Sequence, residues 1–207
     1  MRVLKKREKK MKVAIQHGLS LDREVTRMFA KKGHDVRNLL GFQSFDINPN
    51  DYDLLVFTGG ADVSPWLYGE ENTASRCHPQ RDQCDYVAFR RFSDCDIPMA
   101  GICRGGQFLN VVHGGKMIQD VPGFVGLVRM RDVTNKESIE VQVGHHQGMV
   151  CGKDGVVVAE GVSLDNTVGY DIRYRGSSIF CFQPHPEWGH EATEGYFFSV
   201  IDEVKGK

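Results

Sequence analysis

Apolar residues are grouped along the first sixty positions in the way expected for strands that alternate with a helix. The run at residues 12–16 predicts a buried strand, and the runs at 35–40 and 53–57 predict two more. Between the first two runs, Ser20 offers an N-cap and Gly33 a stop for one helix. The apolar face of this helix consists of Leu21, Val25, Met28 and Phe29. The order strand, helix, strand, strand indicates an α/β sheet.

The middle of the chain carries a helix, a buried strand and a second helix in succession. Aromatic residues spaced near one helical turn predict a helix over residues 82–94. Pro98 then breaks the chain before the apolar run at residues 99–102, which predicts a strand. A buried helix follows this strand and ends at Gly114-Gly115.

From about residue 116 the pattern changes to short β runs separated by turn residues. These predicted strands are at 126–130, 138–143, 156–159, 168–174 and 178–182. Residues 191–204 predict a closing helix. The whole pattern predicts an α/β fold with an open, mostly parallel central sheet, whose ligand site is expected beyond the carboxyl ends of its strands.

Composition and charge narrow the class of protein. The chain has 207 residues, of which 41% are hydrophobic, and this is enough for one compact domain. We expect a basic, flexible arm at residues 1–11 and a single folded domain at 12–207. With 26 basic and 27 acidic residues and no long apolar run, neither nucleic acid nor a membrane is expected as a partner. The six cysteines have no paired spacing, so we expect reduced thiols and a cytoplasmic protein.

The most informative segment is GICRGGQ at residues 101–107, in which a cysteine lies between glycines where the predicted strand passes into a helix. This pattern is typical of a nucleophile elbow, because the sharp turn projects the side chain into a cleft and glycines let the backbone fold tightly. The positive end of the helix dipole favours a thiolate there. Cys103 is therefore the candidate nucleophile.

A second segment, His185-Pro186-Glu187, supplies the groups that a cysteine nucleophile needs. His185 can take the thiol proton as general base and later protonate a departing nitrogen, while Glu187 holds the ring in the useful tautomer. The sequence therefore predicts a triad of Cys103, His185 and Glu187 for attack on an amide carbonyl.

The tetrahedral intermediate of such a reaction carries a negative oxygen that needs hydrogen-bond donors. Thr58-Gly59-Gly60, Cys103 and His185 each follow a predicted strand, so we expect them to converge at one edge of the sheet. The backbone amides of Gly60 and Arg104 are the candidate oxyanion hole, because glycine permits close approach of the backbone.

Six segments carry a resemblance to a known family. They are TGGADVSP at 58–65, Tyr68-Gly69-Glu70, ICRGGQFLNVVHGG at 102–115, Gln119-Asp120, His145-His146-Gln147 and FQPHPEW at 182–188. Together they resemble the class I glutamine amidotransferase superfamily, and within it the peptidase C26-like branch of γ-glutamyl hydrolases and γ-glutamyl-γ-aminobutyrate hydrolases. The chain departs from this branch at Gln142-Val143, where the branch usually has Asn-Ser, and at Pro184, where it often has an aromatic residue.

The resemblance implies a flavodoxin-like three-layer sandwich, the triad named above and a glutamine amidotransferase-like catalytic domain at 12–207. It also implies that Gln107 helps to hold the amino and carboxylate end of a glutamyl substrate. No metal or organic cofactor is implied. We further expect substrate contacts from Gly59, His145, His146 and Gln147, although His145 and His146 could equally be ordinary loop histidines.

The expected function is cleavage of a small γ-glutamyl amide, either glutamine or a γ-glutamyl conjugate, through a γ-glutamyl thioester. One alternative is a glutaminase subunit that delivers ammonia to a separate synthase chain. A second is a binding or regulatory module that keeps the fold without turnover. The sequence does not predict an oligomeric state.

Overall fold

A computed structural model of the chain describes residues 10–162, 167–174 and 176–205. The strands within them are β1 (Lys12–Gln16), β2 (Asp35–Leu39), β3 (Leu54–Phe57), β4 (Met99–Ile102), β5 (Lys116–Ile118), β6 (Phe124–Asp132), β7 (Ser138–His145), β8 (Gly148–Val150), β9 (Gly155–Val162), β10 (Thr167–Tyr174) and β11 (Ile179–Phe182). The α-helices are α1 (Arg23–Lys31), α2 (Pro79–Ser93), α3 (Arg104–Val112) and α4 (Glu191–Lys205). Most of the predicted basic arm lies outside the described residues, and Met11, at its end, is buried in the core.

One mixed sheet runs through the molecule in the order β2-β1-β3-β4-β11-β10-β9-β6-β7. The five strands from β2 to β11 pair in parallel, as the alternation of strands and helices predicts. The strands from β10 onward pair antiparallel. The carboxyl ends of β3, β4 and β11 therefore lie side by side at one edge.

Helices cover both faces of this sheet, and an apolar core lies on each side. Successive residues of β3 alternate between the two cores, because neighbouring side chains of a strand point to opposite faces. The first core contains Ile15, Val25, Phe29, Leu54, Val56, Phe182 and Phe197. The second contains Leu55, Phe57, Phe89, Phe92, Phe108 and Leu109. The protein thus has three layers, with α1 and α4 on one face and α2 and α3 on the other.

Two predicted helix starts are wrong, and both errors have a local cause. The N-cap of α1 is Asp22 and not Ser20, because Oδ1 of Asp22 accepts from the amides of Glu24 and Val25 at 3.0 and 3.2 Å. Leu21 consequently precedes the helix and is 42% exposed. Helix α2 begins at Pro79, where the fixed φ of proline suits a first helical turn. No helix in the described ranges is both long enough and apolar enough to cross a membrane.

Candidate active site

Cys103 lies at the turn between β4 and α3, with a backbone that a non-glycine residue rarely adopts. Its φ is +50° and its ψ is −112°, and its amide donates to the carbonyl of Phe182 at 2.7 Å. Such strain persists only where the surrounding structure fixes it, and it is common at functional sites. Gly105 permits the turn, because a Cβ at this position would collide with the carbonyl oxygen of Phe57 on β3.

His185 and Glu187 form a buried pair directly after β11. Nδ1 of His185 donates to Oε1 of Glu187 over 2.6 Å, since an ionised carboxylate can only accept. The amide of His185 donates to the carbonyl of Gln142 at 2.7 Å, which ties this segment to β7. The ring is therefore held in one orientation with Nε2 directed away from the carboxylate.

The loop after β3 brings Cys103 and His185 together. A Cβ placed on Gly59 would lie 3.3 Å from Cε1 of His185 and 3.7 Å from Cβ of Cys103, so both residues contact this glycine. Burial opposes charging of His185, but the adjacent Cys103 and the carboxylate of Glu187 raise its pKa to about 10. Nε2 makes no well-formed hydrogen bond among the residues that the structure describes.

A pair of buried glutamines lies beneath the sulfur. Gln183 directs Nε2 toward Sγ of Cys103 at 3.6 Å, and Nε2 of Gln107 donates to Oε1 of Gln183 at 3.1 Å. The side chain of Gln107, a predicted substrate ligand, is thus linked to Sγ of Cys103 through Gln183, and its backbone amide donates to the carbonyl of Cys103 at 3.0 Å. The sequence analysis missed Gln183, although its position two residues before His185 was a signal.

Gly60 has a backbone conformation that favours glycine, with φ +134°. Before it in the loop, the carbonyls of Thr58 and Gly59 both accept from the guanidinium of Arg81, at 2.7 and 2.6 Å. In a trans peptide the C=O and the following N–H point in opposite directions. The contact of Gly59 with Arg81 therefore turns the Gly60 amide away from α2, and this amide has no acceptor among the residues that the structure describes.

Arg104 contributes more than the backbone amide that the sequence assigned to it. Its guanidinium is 1% exposed and pairs with the carboxylates of Asp82 and Asp85 on α2. Nε of Arg81 lies 3.4 Å from the same Asp85. A buried group of four charges thus joins the start of α3 to the loop after β3, and sequence reasoning did not find three of its members.

The predicted substrate contacts at residues 145–147 fall into two groups. His145 is buried, with Nδ1 bonded to the carbonyl of Gln147 and Nε2 to the hydroxyl of Tyr170, both at 2.9 Å. Gln147 is also buried and donates to Oγ of Ser75 at 2.7 Å. These two side chains hold loops together. His146 is half-exposed and lies 3.1 Å from Oδ2 of Asp62.

Two cavities flank the loop after β3 and share Ala61. The first has a volume of about 450 Å³ and is lined by residues 17–22, the loop after β3 and the segment from His185 to Trp188. The second has a volume of about 680 Å³ and carries charged side chains of both signs. The charged ones are Asp62, Arg76 and Asp120, and the imidazole of His146 lies beside them. Cys103 is 6% exposed, and Gly59, which lines the first cavity, lies beside it.

Trp188 is a further residue to which the sequence analysis gave no role of its own. Its indole stacks on the imidazole of His185, and its other edge lies over Gly144 of β7. An aromatic residue directly after the predicted carboxylate was the available signal.

In the described part of the chain, no group of three histidine, cysteine or acidic side chains is arranged to hold a metal.

A family model described as peptidase C26 matches residues 48–147, which include Gly60, Cys103 and Gln107 but end before His185. A Lactococcus lactis subsp. lactis protein named "Putative glutamine amidotransferase-like protein YvdE" is 45% identical over 71 residues, covering 33% of this chain and 30% of that protein. A Mycobacterium tuberculosis protein named "Putative glutamine amidotransferase Rv2859c" is 30% identical over 174 residues, covering 73% of this chain and 56% of that protein. The chain thus spans less than two thirds of the length of these relatives.

The fold also recurs in solved structures. A Thermoplasma acidophilum chain described as a "putative gmp synthase subunit a protein" superposes with a TM-score of 0.72 at 16% identity, and 96% of each chain is covered. At so low an identity the likeness shows the fold alone. It confirms the flavodoxin-like α/β fold that the sequence predicts.

Proposed function

Since the chain belongs to the class I glutamine amidotransferase superfamily and is peptidase C26-like, we propose that it is a cysteine-dependent amidohydrolase that cleaves a γ-glutamyl amide. The products are glutamate and either ammonia or an amine. The observation that carries the proposal is the buried pair of His185 and Glu187 beside Cys103 at a strained turn between a strand and a helix.

The first step is attack of the Cys103 sulfur on the γ-carbonyl of the substrate. A pKa of about 10 keeps the His185 imidazole protonated at neutral pH, which stabilises a thiolate beside it. Cys103 is the N-cap of α3, so the positive end of the helix dipole adds to this effect. The S–C bond forms as the carbonyl oxygen becomes negative.

Donors for that negative oxygen come from the backbone. The amides of Arg104, at the start of α3, and of Gly60 have no acceptor among the described residues. Removal of one such donor raises the barrier by about 3–4 kcal/mol in other enzymes. Arg81 supports the Gly60 donor by fixing the peptide that precedes it.

Collapse of the tetrahedral intermediate breaks the C–N bond and leaves a γ-glutamyl thioester on Cys103. His185 gives its proton to the departing nitrogen, and Glu187 keeps the ring oriented while its charge changes. A water molecule then attacks the thioester, with His185 as the base, and glutamate is released.

The charged cavity suits the glutamyl end of the substrate. An α-amino acid carries one ammonium and one carboxylate at neutral pH, and this cavity carries the carboxylates of Asp62 and Asp120 and the guanidinium of Arg76. Opposite charges in a partly enclosed space favour such a zwitterion. His146, which lines the same cavity, keeps its predicted contact with substrate within this proposal.

The test is glutamate release by the isolated chain from glutamine and from a panel of γ-glutamyl amines, with an electrophilic glutamine analogue to label the nucleophile. We expect turnover of at least one substrate and a mass adduct on Cys103. Cys103→Ala abolishes both, whereas Cys95→Ala, at a half-buried cysteine between α2 and β4, is the matched control. No turnover and no adduct would point to a binding module instead.

A glutaminase that passes ammonia to a separate synthase chain is the second candidate. The likeness to a chain described as a GMP synthase subunit favours it only at the level of fold. Weak hydrolysis of every substrate that rises when a partner chain is added would support this candidate. A reducing compartment such as the cytoplasm suits either form, since a reactive thiolate is readily oxidised.

A further inference from the structure

Three large apolar side chains lie at the rim of the first cavity. Leu19 and Leu21 follow β1 on one side, and Trp188 lies on the other. These side chains are 41%, 42% and 49% exposed, respectively. A ligand that covers them gains about 25 cal/mol for each Å² of apolar surface removed from water. The rim therefore favours an apolar occupant.

The direction of proton transfer indicates which end of the substrate occupies the first cavity. In the proposed reaction, the C–N bond breaks as His185 protonates the departing nitrogen, so this nitrogen must lie within hydrogen-bonding reach of the imidazole. His185 lines the first cavity and not the second. The departing amine therefore extends into the first cavity, and the glutamyl end extends past Ala61 into the charged one.

The charges of the first cavity disfavour a carboxylate on the amine. Asp22 contributes a carboxylate to its lining, whereas the carboxylate of Glu187 is buried and paired with His185. Among the described lining residues the one guanidinium, that of Arg81, is engaged by the loop carbonyls and by a carboxylate of α2. Burial lowers the pKa of His17 and keeps it neutral. The other basic side chains are His185, whose charge is paired with the carboxylate of Glu187, and His78, which is exposed at the start of α2.

We propose that this cavity is the leaving-amine subsite and that it selects alkyl- or arylamines over amines that carry a carboxylate. The substrate class is then a γ-glutamyl amide of an apolar amine. A volume of about 450 Å³ exceeds what departing ammonia requires, so glutamine is the poorer substrate. This inference rests on the proposed function.

The test uses two substrates of matched shape. In γ-glutamyl-γ-aminobutyrate the chain of the amine ends in a carboxylate, and in γ-glutamyl-4-methylpentylamide an isopropyl group replaces it. For the isolated chain we expect kcat/KM to be at least tenfold higher for the methylpentylamide, with glutamine below both. Equal or faster turnover of the γ-aminobutyrate conjugate overturns the subsite while leaving the proposed hydrolase intact. Absence of turnover with all three, together with no adduct on Cys103, overturns both.

A substitution at the rim tests whether the selectivity between the two substrates arises in this cavity. Leu21→Arg adds a cation at the rim and should lower the ratio of the two kcat/KM values at least tenfold, in favour of the carboxylate substrate. Phe45→Arg is the matched control, because Phe45 is 59% exposed and lines neither of the two cavities. A ratio that responds equally to the two substitutions would contradict the assignment of the subsite.

Discussion

The imidazole of His185 and the indole of Trp188 lie face to face, with ring centroids 3.8 Å apart and planes 6° apart. The stack depends on a third residue. A Cβ at position 144 of β7 would lie 2.6 Å from Cη2 of Trp188. The indole can occupy this position only because residue 144 is glycine. His185 is therefore fixed at one edge by Glu187 and on one face by Trp188.

Trp188→Leu should lower the pKa of His185 and reduce turnover without unfolding the protein. An indole face stabilises a stacked cation by about 0.5–2 kcal/mol, and this stabilisation is lost when the ring is removed. The pKa is measured by NMR titration of the imidazole, beside kcat. Trp66→Leu is the control, because Trp66 is 61% exposed and lines neither cavity.

The same stack gives a readout that needs no substrate. In the Trp66→Phe protein, Trp188 is the only tryptophan, and a protonated imidazole quenches the fluorescence of an indole stacked on it. We expect the emission of Trp188 to rise as the pH is raised through the pKa of His185, because the imidazole then loses its proton. An emission curve that is unchanged by His185→Gln would contradict the coupling.

Glu187→Gln should reduce turnover by about 10²–10⁴, less than the loss of the nucleophile. The amide cannot hold the useful tautomer as a carboxylate does, and without its negative charge the pKa of His185 falls. Labelling of Cys103 by an electrophile should persist, since the sulfur remains. Glu191→Gln, at an exposed carboxylate that begins α4, is the control and should keep wild-type turnover.

Arg81→Lys should impair catalysis through the loop after β3. The planar guanidinium donates to two consecutive carbonyls, and a lysine cannot reproduce that fork. If the Gly60 N–H is no longer held in its present orientation, kcat should fall by about 10²–10³ while KM changes little. Arg90→Lys on the same helix is the control, because its pair with Asp94 is exposed. A rise in KM alone would instead indicate a role in binding.

Arg104→Met should destabilise the fold itself. Removal of this guanidinium leaves Asp82 buried without its ion-pair partner and Asp85 with Arg81 alone, and breaking a buried ion pair in this way costs about 3–5 kcal/mol. Urea unfolding measures the loss. Arg27→Met removes an exposed pair with Glu24, for which we expect about 0–1 kcal/mol. Similar losses in the two variants would show that the buried group contributes little.

The sequence was sufficient to predict the parts of the site that depend on local patterns. The run at 99–102 and the glycines around Cys103 placed a turn between a strand and a helix there, and the structure has β4, Cys103 and α3 in that order. The convergence with His185 followed from the rule that ligands lie beyond the carboxyl ends of parallel strands. The roles of these residues in catalysis remain predictions.

Tertiary contacts decided what the sequence could not predict. Arg81, Asp82 and Asp85 look like the solvated face of a helix, and they are buried only because Arg104 and the loop carbonyls lie opposite them. Strands β5 and β8 have three residues each, too few for a periodic signal. The stack on His185 likewise depends on Gly144, a residue remote in sequence.

His145 should make the protein less stable as the pH falls. Burial lowers its pKa to about 4 from the ordinary 6.5, against the opposing effect of its bond to the carbonyl of Gln147. Between these values the unfolded chain binds a proton that the folded protein does not. The free energy of unfolding is therefore highest above pH 6.5 and falls by about 1.4 kcal/mol per pH unit for this one proton.

His145→Gln should flatten this dependence while lowering stability at neutral pH, where the bond from Tyr170 to Nε2 is disturbed. Urea unfolding at several pH values between 7 and 4.5 measures both effects. Part of the slope should remain, because burial also lowers the pKa of His17 and His113. His190→Gln, on the segment before α4, is the matched control, because it makes the same substitution outside the core. If the free energy of unfolding of the His145 variant depends on pH as steeply as that of the wild-type protein, this imidazole is protonated in the folded protein.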